Sequence, residues 1–431
     1  MNDDQPLKRL AKGLGRRTLV TAKLAGRVGL KYARRGAKDD ADPKAVERAI
    51  ATVKELGALK GLTMKVGQMA SYLPGVMPPE AQKVFASLQS ESTPMAYEQI
   101  AQVVTKELGR PIDELFESFE ETPIAAASIG QVHRARFEGR EVAVKVQYPE
   151  IEELIRSDLK LMGMLTKMMV VGTPNDGAAI AEELRSRMLE ECDYTLEAER
   201  QRLFKRLIES QANCRVPEVI SERSSRRVLT TAFAEGVSFD AFADASSQEE
   251  KNAAAVAIFR ATFNTLFRYA IYNGDPHPGN YRFAPDGHVV FLDFGCVRAF
   301  PKQFIDDWKP MELAMLNRDK AELRRVFPAT NMMGVPEDRF DWDHHWETME
   351  YVCRPYIAPQ PFTFTQTYVE ESYERILFNK TTMKMLNTPP EWLLINRVHW
   401  GLNSVLGRLN ATADWGALWR EFVSSETTPA Q

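Results

Sequence analysis

Cysteine is scarce and scattered in this chain: Cys192, Cys214, Cys296 and Cys353 are all there is, and no two form a C-x-x-C pair. That excludes a disulfide framework and a structural zinc of the usual spacing, and it points to a reducing compartment. Long apolar runs are missing as well. The best candidate, Ala253 to Tyr272, is interrupted by Arg260, Asn264 and Arg268. No stretch reaches the roughly 18 apolar residues that a membrane span requires, and this one reads as a buried core helix. Bulk charge of one sign is absent: a net charge of -4 over 431 residues argues against a nucleic-acid binder and against an acidic tail. The opening Asn2-Asp3-Asp4 fits neither a signal peptide nor an acidic-poor transit peptide. A cytoplasmic protein with no transmembrane segment is the resulting expectation. With 44% hydrophobic residues the composition is that of an ordinary globular protein, long enough for two or three packed units.

What is present is a stretch suited to phosphates. Asn273-Gly274-Asp275-Pro276-His277-Pro278-Gly279-Asn280 carries an Asp and an Asn at D-x-x-x-x-N spacing, and Asp293-Phe294-Gly295 follows. Phosphoryl transfer uses an acid near the attacking hydroxyl, an amide oxygen on a metal, and a carboxylate on a metal that bridges phosphates. These residues match a kinase catalytic loop in spacing, with Asn-Gly standing where His-Arg is usual. Between the two motifs, Tyr281-Arg282-Phe283, Pro285-Asp286-Gly287 and His288 to Leu292 read as a hairpin whose second strand delivers Asp293. Either motif alone is weak; the ordered pair is strong.

The chain from Lys8 to Lys38 is rich in Lys and Arg, with Leu10, Leu14, Leu24 and Val28 at helical spacing. Such an arm can lie on an anionic membrane surface. Residues 43 to 119 read as helices, among them Tyr97 to Leu108 closed by Gly109. Within them, Lys65 and Gln68 lie three apart and share a helix face, with Gly67 between them permitting close backbone approach.

Near residue 122 the periodicity changes to that of strands. Thr122 to Ser128, Gln131 to Phe137 and Glu141 to Gln147 form three short ones, with a turn at Glu138-Gly139-Arg140. Val142-Ala143-Val144-Lys145 matches the strand on which a kinase lysine meets the α- and β-phosphates. Where a glycine-rich loop would cover the phosphates, Ala125, Ala126, Ala127 and Ser128 lead into Ile129-Gly130-Gln131. Alanine lacks glycine's access to positive φ, so this nucleotide loop is expected to be stiff. A helix from Pro149 to Val171 and a long helical run from Ala178 to Glu209 follow. The second run offers Glu190, Glu191, Asp193, Glu197 and Glu199 as partners for Lys145, and helix geometry alone does not choose among them. Val216 to Ile220 and Arg227 to Ala234 complete the sheet. Ala234-Glu235-Gly236 is the hinge, with Glu235 placed to meet the nucleotide, and beyond it the chain is helical apart from the catalytic hairpin. No Ala-Pro-Glu follows Gly295, and the helix pattern resumes at Pro301, which leaves little room for an activation segment to seat a protein substrate. His344 and His345 have no ligand partners at suitable spacing and read as structural.

Taken together, Lys65-Val66-Gly67-Gln68, the alanine loop from Ala125 to His133, Val142 to Lys145, Glu191-Cys192-Asp193, Asp275 to Asn280 and Asp293 to Gly295 resemble the UbiB/AarF family of atypical kinase-like proteins, over roughly residues 55 to 330. The Ala-Ala-Ala-Ser-Ile-Gly-Gln-Val-His and Val-Gln-Tyr-Pro stretches are most similar to its coenzyme Q branch. The resemblance implies an α+β, two-lobed protein-kinase-like fold with an added N-terminal helical extension and a helical C-terminal region. The expected units are an arm at 1–42, the extension at 43–119, an N-lobe at 120–236 and a C-lobe at 237–431. It implies that Lys145 meets the phosphates with Glu197 as its partner, that Asp275 is the catalytic-loop acid, and that Asn280 and Asp293 hold Mg2+ or Mn2+ with ATP or ADP. It further implies that Glu191 and Asp193 engage Lys65 and Gln68, so that the extension occludes the cleft. The implied activity is that of an ATPase or atypical kinase serving an isoprenoid lipid or quinone precursor, alone or with quinone-biosynthesis enzymes, and phosphorylation of other proteins is disfavoured. Bacterial family members carry C-terminal transmembrane helices. Asn396, Arg397, His399, Asn403 and Arg408 rule out a span at this C-terminus, so contact with an anionic bacterial inner membrane is expected to be peripheral.

Overall fold

The computed structural model describes residues 95–429, apart from 128, 150, 154, 157–181, 183–184, 187–188, 210, 212 and 378. The basic arm, Lys65, Gly67, Gln68, Ser128 and most of the Pro149 to Val171 helix lie outside the described residues.

The first layer is built from β1 (Ser118–Phe119), β2 (Ala125–Ala127), β3 (Gly130–Phe137) and β4 (Arg140–Gln147), joined after β5 (Cys214–Arg215) by β6 (Val228–Ala232). The sheet is antiparallel in the order β1-β3-β4-β6, with β2 on β3. Alternation decides its faces. Val142, Val144 and Val146 are buried against Ile100, Val103 and Val104 of the Tyr97–Leu108 helix, while Ala143 and Lys145 turn to the opposite side. The β3–β4 turn falls at Glu138 and Gly139, both with positive φ (50° and 71°), as a two-residue hairpin turn matched to strand twist requires.

Two sequence expectations need correction here. Val216 to Ile220 does not form a full strand of this sheet: one bridge, Val219 to Thr231, is all it contributes. The strand is Cys214–Arg215 instead, and it pairs in parallel with Val289 and Val290 in the other lobe. The long run from Ala178 to Glu209 is also not one helix. It breaks in a turn after Glu190, and Asp193 caps a new helix, Tyr194–Ile208, by accepting from the Thr195 amide at 3.0 Å. An Asp side chain that satisfies an otherwise orphaned N–H starts a helix more readily than it continues one.

The second layer is organised around the 22-residue helix Gln248–Tyr269, which opens with a Ser247/Glu250 capping box. Its Ala254, Ala255, Ile258, Phe259, Phe263, Leu266 and Phe267 are buried, as the expected core helix demands. Around it, β7 (Ile271–Asn273) pairs with β10 (Val297–Ala299), and β8 (Tyr281–Phe283) forms the expected hairpin with β9 (Val289–Phe291). Helices Lys302–Leu316, Pro390–Arg408 and Trp415–Val423 then pack the aromatic core in which Trp308, Trp415 and Trp419 are buried. This half is not helical throughout, since β7, β10 and the short pair Phe362–Thr363 and Thr412–Ala413 interrupt it. At the junction of the layers Gly236 has φ 135°, and a Cβ there would lie 2.7 Å from the Phe283 carbonyl oxygen. Only glycine lets the hinge run so close to β8, where Val237 and Phe283 exchange both backbone hydrogen bonds (3.0 and 3.1 Å). No helix among the described residues is long and apolar enough to cross a membrane.

Candidate active site

Lys145 leaves β4 on the face opposite its buried valines, and Glu197 leaves the Tyr194–Ile208 helix toward it. Lys145 Nζ donates to both Glu197 oxygens at 2.8 and 3.0 Å and stands 3.4 Å from Asp293 Oδ2. The ammonium also lies 5.0 Å from the centroid of the Tyr194 ring. Of the five acidic residues at issue, tertiary structure brings Glu197 to the lysine. Burial works against the charged lysine, but the carboxylates of Asp293 and Glu197 overcome it and hold its pKa well above the ordinary value. Burial pushes the Glu197 carboxyl upward, with Lys145 opposing that shift.

The same helix fixes the acidic turn. Phe204 lies seven residues beyond Glu197, on the same helical face, and its ring meets that of Phe294 at 5.5 Å between centroids. Phe294 is fully buried, and its backbone N–H donates to Glu197. Asp293 is further set by its own turn, in which the Gly295 amide donates to Oδ1 at 2.9 Å.

Asp275 and Asn280 are brought together: Asn280 Nδ2 donates to the Asp275 carbonyl and to Oδ2, at 2.9 and 3.0 Å. This commits the amide nitrogen and orients the amide oxygen for another partner. The Leu292 amide donates to the Asn280 carbonyl at 3.0 Å, tying the loop from Asp275 to Asn280 to the strand that delivers Asp293. Asn273, Asp275, Asn280 and Asp293 line one cavity together with Phe204 and Thr262. An amide oxygen and a carboxylate are hard donors suited to Mg2+ or Mn2+. Among the described residues no three His, Cys, Asp or Glu side chains converge as a ready-made metal site.

Two residues were not singled out from the sequence. Asn273, in the place of the usual His-Arg, donates from Nδ2 to the Asp293 carbonyl (2.5 Å) and accepts from the Asp275 amide (3.3 Å), stapling both motifs. Its position inside the motif was the available signal. Arg397, on the Pro390–Arg408 helix, pairs with Asp275 Oδ1 at 2.6 Å and donates from Nε to the Gly274 carbonyl at 3.2 Å. Burial raises the Asp275 pKa, but Arg397, followed by His277 and Asn280, outweighs it, and the carboxyl sits below its ordinary value.

The remaining expected residues are placed as follows. Ala125, Ala126 and Ala127 are extended backbone paired with Val132, Gln131 and Gly130, a conformation that needs no glycine. Glu235 is exposed at the hinge. Glu191 sits in the turn before the Tyr194–Ile208 helix, and Asp193, besides capping that helix, faces Arg226 at 3.6 Å. Their expected contacts with Lys65 and Gln68 fall on residues outside those described. His345 is buried among Phe327, Phe340 and Trp342, and His344 meets the Thr382 hydroxyl.

The ABC1 atypical kinase-like domain matches residues 87–327. The mitochondrial atypical kinase COQ8B of Rattus norvegicus is 32% identical over 318 residues, covering 72% of this chain and 60% of that protein. The mitochondrial atypical kinase coq-8 of Caenorhabditis elegans is 28% identical over 385 residues, covering 87% and 50%. The chain thus spans between half and three-fifths of the length of these relatives. Among solved structures, that of the Rv3197–erythromycin complex from Mycobacterium tuberculosis is similar with a TM-score of 0.66 and 28% identity, over 90% of this chain and 98% of that one. Fold, site and matches agree: the architecture is protein-kinase-like, and the chain belongs to the ABC1 atypical kinase-like (UbiB/AarF) family, in its Coq branch.

Proposed function

We propose that this protein binds Mg-ATP or Mg-ADP between its two layers and hydrolyses ATP in support of ubiquinone or another isoprenoid lipid pathway. The observation that carries the reading is the contiguous set Lys145–Glu197–Asp293, assembled beside Asp275 and Asn280. Lys145 is a protonated donor for the α- and β-phosphates, held in place by Glu197. Ala125, Ala126 and Ala127, with the neighbouring Ser128, would cover the nucleotide, and Glu235 would meet it from the hinge. Asn280 and Asp293 would hold the divalent ion, which supplies charge neutralisation at the phosphates. Asp275, ionised, orients the attacking hydroxyl or water rather than acting as a strong base, because a carboxyl with a lowered pKa accepts a proton poorly. Lys65, Gly67 and Gln68, with Glu191 and Asp193, would keep a peptide out of the cleft. The beneficiary is a quinone or lipid precursor at an anionic membrane surface, approached peripherally through the basic arm. The test is Mg-dependent ATP hydrolysis by purified protein with anionic liposomes. Turnover no greater than that of Asp293→Asn would reject the proposal.

One observation favours a second reading, a nucleotide-gated lipid-binding scaffold with little catalysis. Both Asp275 oxygens are already engaged, one by Arg397 and one by Asn280, so a substrate hydroxyl would have to share an oxygen with a structural partner. On this reading, nucleotide-dependent binding of lipid or pathway enzymes survives Asp275→Asn, whereas on the first the substitution abolishes turnover.

A further inference from the structure

Glu190 did not become the partner of Lys145, and the structure gives it other company. Its Oε2 pairs with two guanidinium groups at once: Arg200 from the Tyr194–Ile208 helix and Arg298 from β10. All three side chains are largely shielded, with exposures of 27% for Glu190, 18% for Arg200 and 15% for Arg298. Arg200 uses the other arm of its fork on the acidic turn: Nη1 donates to the Gly295 carbonyl at 2.9 Å. That turn is the one in which Gly295 N–H holds Asp293 Oδ1. The two peptide groups that flank the Gly295 Cα are therefore each held, the N–H by Asp293 within the turn and the carbonyl by Arg200 from the helix that also carries Glu197. Arg298 lies just past the turn, on the strand that leads directly to the Lys302–Leu316 helix.

We propose that Arg200, braced by Glu190 and Arg298, is a positioning residue that locks the Asp293–Gly295 turn and sets the carboxylate of Asp293 for its metal ion. This rests on the nucleotide reading above and deepens it. Where a kinase orders its acidic turn through a phosphorylated activation segment, the short connection here is held by a permanent ion-paired clamp. Arginine is required, because a planar fork reaches Gly295 and Glu190 with separate N–H groups, while one ammonium on a flexible stem cannot span both in a fixed geometry.

Positioning and simple electrostatics predict opposite signs. Removing a cation near a cation site strengthens metal binding through the Coulomb term alone, whereas releasing the turn weakens it. The experiment uses the full chain and titrates Mn2+ into protein saturated with ADP, following free Mn2+ by its paramagnetic resonance signal; metal-free ADP affinity is measured in parallel. Arg200→Lys, which keeps the charge, is expected to weaken Mn2+ affinity at least fivefold while metal-free ADP affinity stays within twofold. Arg200→Met is expected to weaken it in the same direction. Unchanged or tighter Mn2+ binding in Arg200→Lys, with normal binding by the wild type, overturns the clamp and leaves the nucleotide reading standing. Wild-type protein that shows no Mn2+-dependent ADP binding overturns both.

Discussion

Arg397→Met removes one partner from an ion pair at the centre of the site. In the wild type, Asp275 and Arg397 meet at 2.6 Å with side-chain exposures of 27% and 16%. Breaking a fully buried pair costs about 3–5 kcal/mol, because the remaining charge is left desolvated. Asp275 keeps its hydrogen bond from Asn280 and a route to water, so a loss of about 2 kcal/mol is expected. Equilibrium urea unfolding at pH 7 reads this as a lower midpoint with an unchanged slope. Attributing the loss to the pair requires a double-mutant cycle: Asp275→Asn, Arg397→Met and the double variant, with a coupling of about 2 kcal/mol. The linkage has a definite sign. Asp275 has a depressed pKa in the folded protein, so it contributes stability above its unfolded value, and that contribution is lost as pH falls through the lower folded value. A single-variant loss below about 0.5 kcal/mol, or additive effects in the cycle, would show that Arg397 does not hold the loop through Asp275.

The same helix gives a steric test. A Cβ at Gly401 would lie 2.6 Å from Pro276 Cγ, a rigid ring next to Asp275. Gly401→Ala should therefore lower kcat more than it raises KM for ATP and cost about 1–2 kcal/mol, despite alanine's better helix propensity; activity and stability equal to wild type would refute the close packing. His345 is 2% exposed, and burial, aided by His344, lowers its pKa to about 4. The unfolded chain binds this proton near pH 6.5 and the folded chain does not, so stability falls as pH drops from about 6.5 toward 4, by about 2 kcal/mol at pH 5 for this group. His345→Phe should flatten the unfolding free energy between pH 7 and pH 5 by that amount, and parallel curves for the two proteins would contradict it.

Local pattern was enough to single out Asp275, Asn280 and Asp293, which lie at short spacings along one loop and hairpin and come together at one cavity. It was enough for Lys145 as well, since alternation along β4 puts Val142, Val144 and Val146 on one face and the lysine on the other. Sequence could not choose Glu197 from its acidic neighbours by geometry. That choice depends on where Asp193 ends one helix and caps the next, and on Phe204 seating against Phe294. The Cys214–Arg215 pairing with β9 was hidden because a two-residue parallel strand carries no periodicity and its partner is far along the chain. Arg397 was hidden because its partner Asp275 lies 122 positions away along the chain. Spacing and alternation, which act within a few residues, single out the groups whose chemistry suits phosphate. Which charges those groups face depends on the packed fold, because ion pairs such as Arg397–Asp275 and Arg200–Glu190 form when separate elements dock, and burial sets what each charge costs.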